Sequence, residues 1–416
     1  MLLTALSLLL APQVLPPVQD PSTAIRAIDL EARIGFLASD SLEGRESGKR
    51  GGHAAAQFFA KEWARLGLQP IGEDGSYLLP FELGNDLTCF NTAGLLPGTD
   101  PALADQILVI GGHHDHAGIG GPGAMGFPGE IHNGADDNAS GSAGTAELAE
   151  WFAANPARRP ILFMTFSAEE RGLNGSADFV RNGPIAKDRM WAMINMDMIG
   201  RSKDDYLFIG GLGTAAQFHS ILDPLLEGCD FDLETKDEGQ APSDNSSFYQ
   251  GGIPALFFFT NVHEDYHMPS DDADLINYAG EVKILELVRD CVGAFDRFDG
   301  RLDFVRVDGL AMPDNFMELT MEHYRMIGER NQKRGRMGVT IEAGGDAGMR
   351  VSAVRAASAG AQAGIQVGDQ LLEVAGRPVD SKDGLRRALG GRMKGERIPV
   401  RLLRDGQPLE IEVVLT

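Results

Sequence analysis

Residues 106–118 read QILVIGGHHDHAG. Ile107 to Ile110 form a short, wholly apolar run that breaks at Gly111-Gly112, the pattern of a strand buried on both faces. His113 stands at its exit, and Asp115 can turn back to accept a hydrogen bond from the second nitrogen of that imidazole. A carboxylate so placed fixes the tautomer of a metal-binding histidine and raises its basicity. A His beside an Asp is also an ordinary surface pair, so the reading depends on whether other strand exits carry similar groups.

They do. Ile161 to Phe166 is a second apolar strand, and it delivers Glu169 and Glu170 within FSAEERGLNGS. Adjacent glutamates point in different directions, so one can hold a metal while its neighbour faces a bound water. Metal-assisted hydrolysis needs that pairing, because a Lewis-acid ion acidifies water and a free carboxylate takes the proton. Met190 to Met196 ends at Asp197, and Ile253 to Phe259 leads into the loop with His263 and His267. Pro269 restricts the backbone after His267, and Asp271 or Asp272 is placed to orient it. Between the first two strands lies NGADDNASG, whose Asp136 and Asp137 precede a run with helical spacing. Two acids there also suit a helix N-terminus. The small residues that follow would equally allow close approach of a carboxylate pinned between two metals. Histidines and carboxylates at successive strand ends form a zinc-type donor set, placed where open α/β sheets build their sites. The expected fold is α/β, a doubly wound, mostly parallel sheet flanked by helices. His53, His219 and His323 lack such a context, while His114, His116, His132 and His263 are undecided.

These clusters, with FLASDSLEGRESGKRGG (36–52), WARLGLQP (63–70) and NTAGLLPG (91–98), resemble the di-zinc aminopeptidases of metallopeptidase family 28 over about residues 30–297. The resemblance implies a zinc exopeptidase fold and two zinc ions. In this sequence His113 and Asp197 would bind one ion, Glu170 and His267 the other, and Asp136 would bridge them. Asp115 would orient His113, and Glu169 would be the general base. It also implies a cis bond between Asp136 and Asp137. One departure stands out: Asn245, in the segment Ser243-Asp244-Asn245, replaces a histidine of the family on the substrate side. That leaves Tyr266, Tyr249 and Gln240 as candidate oxyanion donors.

From Gly335 the texture changes to short β-rich segments. SAGAQAGIQVGDQLLEVAGRPVDS (358–381) and the final IPVRLLRDGQPLEIEVVLT resemble a bacterial PDZ domain. The resemblance places a peptide's C-terminal carboxylate at the loop Arg336-Met337-Gly338-Val339, with the peptide adding as an extra strand. Domain expectations are thus residues 1–20 as a signal peptide, 24–300 as the aminopeptidase domain, 301–334 as a charged helical connector crossing open surface, and 335–416 as the PDZ domain.

Bulk properties agree. The net charge is −23 and argues against a nucleic-acid surface. It is uneven: residues 335–416 hold 12 Lys/Arg against 10 Asp/Glu, so the first 334 residues carry −25. The apolar run Leu2 to Leu10 is too short to span a bilayer and looks like the core of a secretory signal, implying a periplasmic or extracellular protein. Three cysteines (Cys89, Cys229, Cys291) make no disulfide framework and match no zinc-finger spacing. The sequence therefore points to a metallo-aminopeptidase acting on peptide N-termini, with a PDZ domain for a peptide or protein partner. A related di-zinc dipeptidase or amidohydrolase, or a peptide-binding scaffold without activity, are the other readings.

Overall fold

The computed structural model describes residues 24–84, 87–121, 124–125, 129–344 and 348–416. The apolar run at Leu2–Leu10 lies outside them. Among the described residues, no helix is long and apolar enough to cross a membrane.

The first part of the chain builds a nine-stranded sheet from β1 (Gln69–Pro70), β2 (Leu78–Leu83), β3 (Leu87–Leu96), β4 (Ile107–His113), β5 (Ile161–Phe166), β6 (Met190–Met196), β7 (Tyr206–Gly210), β8 (Asp232–Thr235) and β9 (Ala255–Phe259). The order is β1-β3-β5-β4-β6-β9-β7-β8, with β2 on β3. β5, β4, β6 and β9 are mutually parallel, whereas β3 and β7 join antiparallel at the two sides. The expected parallel sheet is therefore the centre of a mixed one. The apolar runs read from the sequence are these four central strands, and each is buried along its whole length.

Alternation along the strands feeds two cores. Leu108 and Ile110 of β4, with Ile161 and Phe163 of β5, pack under α1 (Ala27–Leu37), α2 (Arg50–Arg65), α3 (Gly141–Ala154), α5 (Phe218–Leu226) and α7 (Tyr278–Asp296). Ile107, Val109, Leu162 and Met164 face α4 (Asn174–Asn182) and α6 (Asn245–Gln250) on the other side. Helices on both faces explain why these strands are apolar without polar alternation. The chain runs from β4 to β5 on one side, then crosses to β6 on the other. A crevice forms at the carboxyl ends where strand order reverses so.

After α7 the chain does not cross open surface as expected. Residues 303–316 are strapped onto the sheet domain. Phe304 forms a β-bridge with Ala215, Val305 N–H donates to Thr214 O at 2.9 Å, and Tyr249 Oη donates to Val307 O at 2.8 Å. Ala311 N–H donates to Gln240 O at 2.7 Å, and Ala311 is fully buried. The apolar residues of this charged segment supply the adhesion. α8 (Phe316–Gln332) follows, close to the helix expected there.

The C-terminal part has its own core, formed by Met337, Ile341, Val351, Leu371, Val400 and Leu402 among others. β10 (Val339–Ala343), β11 (Met349–Val354), β12 (Gln370–Val374), β13 (Arg377–Pro378), β14 (Arg397–Arg404) and β15 (Gln407–Val414) pair antiparallel, with β10 at one edge. Two short helices complete it, α9 (Ala359–Gln362) and α10 (Lys382–Leu389).

Candidate metal centre

Every cluster singled out in the sequence arrives at the carboxyl edge of the four parallel strands. His113 is the last residue of β4, Asp197 follows β6, Glu169 and Glu170 follow β5, and His267 lies in the loop after β9. One expectation fails by a single residue. Asp137, not Asp136, stands between the two groups. Its Oδ1 is 3.3 Å from His113 Nε2 and its Oδ2 is 3.0 Å from His267 Nε2. Asp136 points away: its Oδ1 accepts from Gly200 N–H at 2.7 Å and Ser140 Oγ at 3.0 Å, and its Oδ2 lies 3.2 Å from His263 Nε2. The cis bond is likewise one residue later, between Asp137 and Asn138.

Long-range contacts decide this register. Asn138 Nδ2 donates to Met196 O at 3.0 Å, while its Oδ1 accepts from Gly141 N–H and Met198 N–H. Asp271 accepts from the backbone N–H groups of Asp136 and Asp137 at 3.0–3.1 Å, so it orients the turn that carries Asp137 rather than His267. Asp272 accepts from Asn133 instead. Gly112 and Gly141 make the turn's approach to β4 and β6 feasible, since a β-carbon on either would collide with Met196 O.

Two donor groups result. On one side His113 Nε2 lies 3.4 Å from Asp197 Oδ1, with Glu169 Oε2 at 3.9 Å. On the other, His267 Nε2 is 3.2 Å from Glu170 Oε2, and His116 Nδ1 is 2.7 Å from Glu170 Oε1. His116 was undecided from sequence. The structure places it in this second group, packed edge-on to His267 at 5.6 Å between ring centroids. The run of three histidines in residues 113–116 was the signal for it, but spacing alone could not say which of them turned inward. His114 turns into the core, bonded to Thr165 Oγ1 at 2.9 Å, and burial holds it neutral with a pKa lowered to about 3. His132 supports His267 from behind, 3.0 Å from its carbonyl oxygen.

Asp115 does sit behind His113, with the Nδ1 to Oδ1 distance at 3.7 Å and its backbone oxygen nearer at 3.1 Å. Its carboxylate accepts from Ser47 Oγ at 2.5 Å and from Glu169 N–H at 3.2 Å, so it positions His113 and the Glu169 backbone together. Ser243 Oγ donates to Asp197 Oδ2 at 2.7 Å. Arg45, fully buried, donates to the carbonyls of Leu37, His114, Asn133 and Gly134 and so ties three loops behind the site. Burial, against several surrounding carboxylates, brings its pKa down to about 10.

The donor set fits metal ions. Asp197 Oδ1, Glu170 Oε1 and His116 Nδ1 are buried without a hydrogen-bond partner, although His116 and Glu170 approach to 2.7 Å. Buried donors left without a hydrogen-bond partner are satisfied by a cation, and imidazole with carboxylate suits zinc. The electrostatics separate the two glutamates. Burial, reinforced by the Glu170 and Asp197 charges, pushes Glu169 well above the usual carboxylate range against the pull of His113. Glu170 is lowered: burial works against its charge, but His267 and His116 outweigh it.

A cleft of about 270 Å³ opens over these groups, and Tyr266 lines it. Tyr249 and Gln240 do not: Tyr249 Oη is engaged with Val307, and Gln240 is bonded to Gln250. Asn245 is buried, with its Nδ2 on Gly239 O at 3.0 Å, behind the cleft rather than in it. In the C-terminal domain residues 336–338 lead directly into β10. Of their amides, that of Arg336 is committed to Thr416 O at 2.9 Å.

Imidazole and carboxylate donors thus converge at the carboxyl edge of a doubly wound sheet, the place where such folds build their ligand sites. Residues 91–292 match the model of peptidase family M28, and residues 335–415 match that of the PDZ domain. The chain thus carries a peptidase family M28 domain followed by a PDZ domain. A probable leucine aminopeptidase of Arthroderma otae is 30% identical over 205 residues, covering 46% of this chain and 54% of its own. A probable zinc metalloprotease of Pyrenophora tritici-repentis is 36% identical over 99 residues, covering 24% and 22%. The chain therefore spans from about a fifth to about half of the length of these relatives. A zinc aminopeptidase from Bacillus subtilis shares the fold, with a TM-score of 0.53 at 16% identity over 71% of this chain and all of that one.

Proposed function

We propose that residues 24–300 form a two-zinc aminopeptidase that removes N-terminal residues from peptides. The observation that carries the reading is the sharing of Asp137 by two donor groups, with Glu169 beside them in one cleft. His113 and Asp197 would hold one ion, Glu170 and His267 the other, with His116 at the second and Asp137 between them. Zinc bound there would polarise the scissile carbonyl and lower the pKa of water. Glu169, as the ionised carboxylate, takes the proton of the attacking water and returns it to the leaving amine. Asp115 holds His113 and the Glu169 backbone in register through both of these transfers.

The PDZ domain would bind a peptide C-terminus at Met337, Gly338 and Val339, with the peptide adding to the open edge of β10. The apolar run Leu2–Leu10 supports export of the protein. A scaffold without activity has no use for an acid such as Glu169 beside its donors and outside the proposed ligand set. A panel of aminoacyl-anilides, N-acetylated anilides and dipeptides, each with and without chelator, tests the reading. Cleavage of free-amine anilides that chelation abolishes and zinc restores is expected. Preference for N-acetylated substrates, or for dipeptides alone, would instead favour an amidohydrolase or a dipeptidase.

A further inference from the structure

We infer that the segment joining the two domains, through Met312 and Phe316, forms the outer wall of the pocket for the substrate's N-terminal side chain, and so selects bulky apolar residues. This rests on the aminopeptidase reading above and adds which part of the chain sets its specificity. The cleft over the donor groups continues into an apolar end lined by Met198, Phe257, Phe259, Val262, Met312 and Phe316. Met198 follows Asp197 directly, and Tyr266 packs on His267 with ring centroids 4.0 Å apart, so the apolar end adjoins the donors without a polar gap. Its inner members are buried, whereas Met312 and Phe316 are half-buried and face the cleft.

These two residues lie beyond residue 292, where the match to the peptidase family ends. They are nevertheless held firmly. The Phe316 ring sits against Phe259 at 6.4 Å between centroids. Asn261 Nδ2 donates to Asn315 Oδ1 at 2.7 Å, and Lys236 Nζ to Asp314 Oδ1 at 2.6 Å. A wall anchored at both ends of its turn presents a fixed surface rather than a passing contact. All charged residues that line the cleft belong to the donor groups, so a charged substrate side chain would find no partner at the apolar end.

The test compares kcat and KM for Leu-, Phe- and Ala-anilides in the zinc-loaded full chain, its Phe316→Ala, Met312→Ala and Phe316→Trp variants, and Met317→Ala. Met317 is 65% exposed on the same helix and serves as the control. Hydrophobic pockets discriminate by roughly 10–200-fold per methylene at stake. We expect the Leu/Ala ratio of kcat/KM to fall by about 10-fold in Phe316→Ala, mostly through KM. Phe316→Trp, which fills the pocket, should lower the ratio for Phe-anilide most. Met317→Ala should match the wild type. If the wild type cleaves Leu-anilide and every variant that melts like it keeps the wild-type ratio, the wall assignment is overturned while the aminopeptidase reading stands. If the zinc-loaded wild type cleaves no anilide, both fall.

Discussion

Replacing Asp136 and Asp137 separately by alanine distinguishes a structural carboxylate from a metal-bridging one. The Asp136 side chain accepts two hydrogen bonds, from Gly200 N–H and Ser140 Oγ, and faces His263 Nε2. Its loss leaves Gly200 N–H and His263 Nε2 without that carboxylate, whereas Ser140 Oγ keeps its bond to the Asp136 backbone oxygen at 2.7 Å. At about 1 kcal/mol or more each, Asp136→Ala should cost roughly 2 kcal/mol of stability, equally with and without zinc. Asp137 touches only the donor groups through its side-chain oxygens, at 3.3 Å to His113 and 3.0 Å to His267. Its removal should therefore act on zinc. Zinc at about 1,000 times its dissociation constant stabilises the fold by roughly 4 kcal/mol. Loss of even an outer-shell partner weakens metal binding by about 10–100-fold, and losing a bridging ligand should reach at least the top of that range. At the same zinc concentration the stabilisation then drops to roughly 1.4 kcal/mol. Thermal melts in chelator and in graded zinc, with metal analysis of the purified proteins, read both effects. We expect Asp136→Ala to melt lower in both conditions with its zinc content intact, and Asp137→Ala to lose its zinc and most of the zinc-dependent rise. Zinc lost from Asp136→Ala but retained in Asp137→Ala would refute the assignment.

Three further outcomes follow from the same structure. Glu169→Gln should keep its zinc and lose about 10²–10⁴-fold in turnover, about 3 to 5 kcal/mol of barrier, whereas Glu170→Ala should lose metal; wild-type turnover in Glu169→Gln would show that the roles within the pair are misassigned. A chain ending at residue 334 keeps all proposed ligands and the Met312–Phe316 wall, so small anilides should be cleaved within a few-fold of full length, while a chain ending at residue 300 should lose the Leu preference; the ratio of Leu to Ala rates for the two truncations decides. In the PDZ domain, Asp369 is buried, yet its pKa is lowered because the Arg404 guanidinium and Gln366 N–H outweigh the cost of burial. A depressed carboxylate stabilises above its unfolded value near 4 and loses that contribution as pH falls through the folded one. Asp369→Asn should thus cost about 1–2 kcal/mol at neutral pH and much less at pH 3, measured by denaturant melts of the domain.

Much of this protein was legible before folding. Short apolar runs without polar alternation read as strands covered on both faces, so Ile107–Ile110, Ile161–Phe166, Met190–Met196 and Ile253–Phe259 were marked as buried strands, and the fold places them at the centre of the sheet. The residues at their exits were marked with them, because chain direction puts every strand end of a parallel sheet on one edge. The C-terminal domain was legible through the resemblance of residues 358–381 and of the final segment to a PDZ domain. What sequence left open was direction. Asp136 and Asp137 are neighbours of identical chemistry, and their choice is made by Gly200, Ser140 and Asp271, residues up to 135 positions away. His116 turns inward and His114 does not, because Thr165 on the adjacent strand captures the latter. The connector likewise gave no local sign of its role. Its charge suggested open surface, yet Ala311, Met312 and Phe316 complete an apolar cluster begun by Phe257 and Phe259. Apolar periodicity determines where a strand lies and where it stops. Which side chain enters the cleft is fixed by hydrogen bonds and packing partners distant in the chain, and only the tertiary structure brings those together.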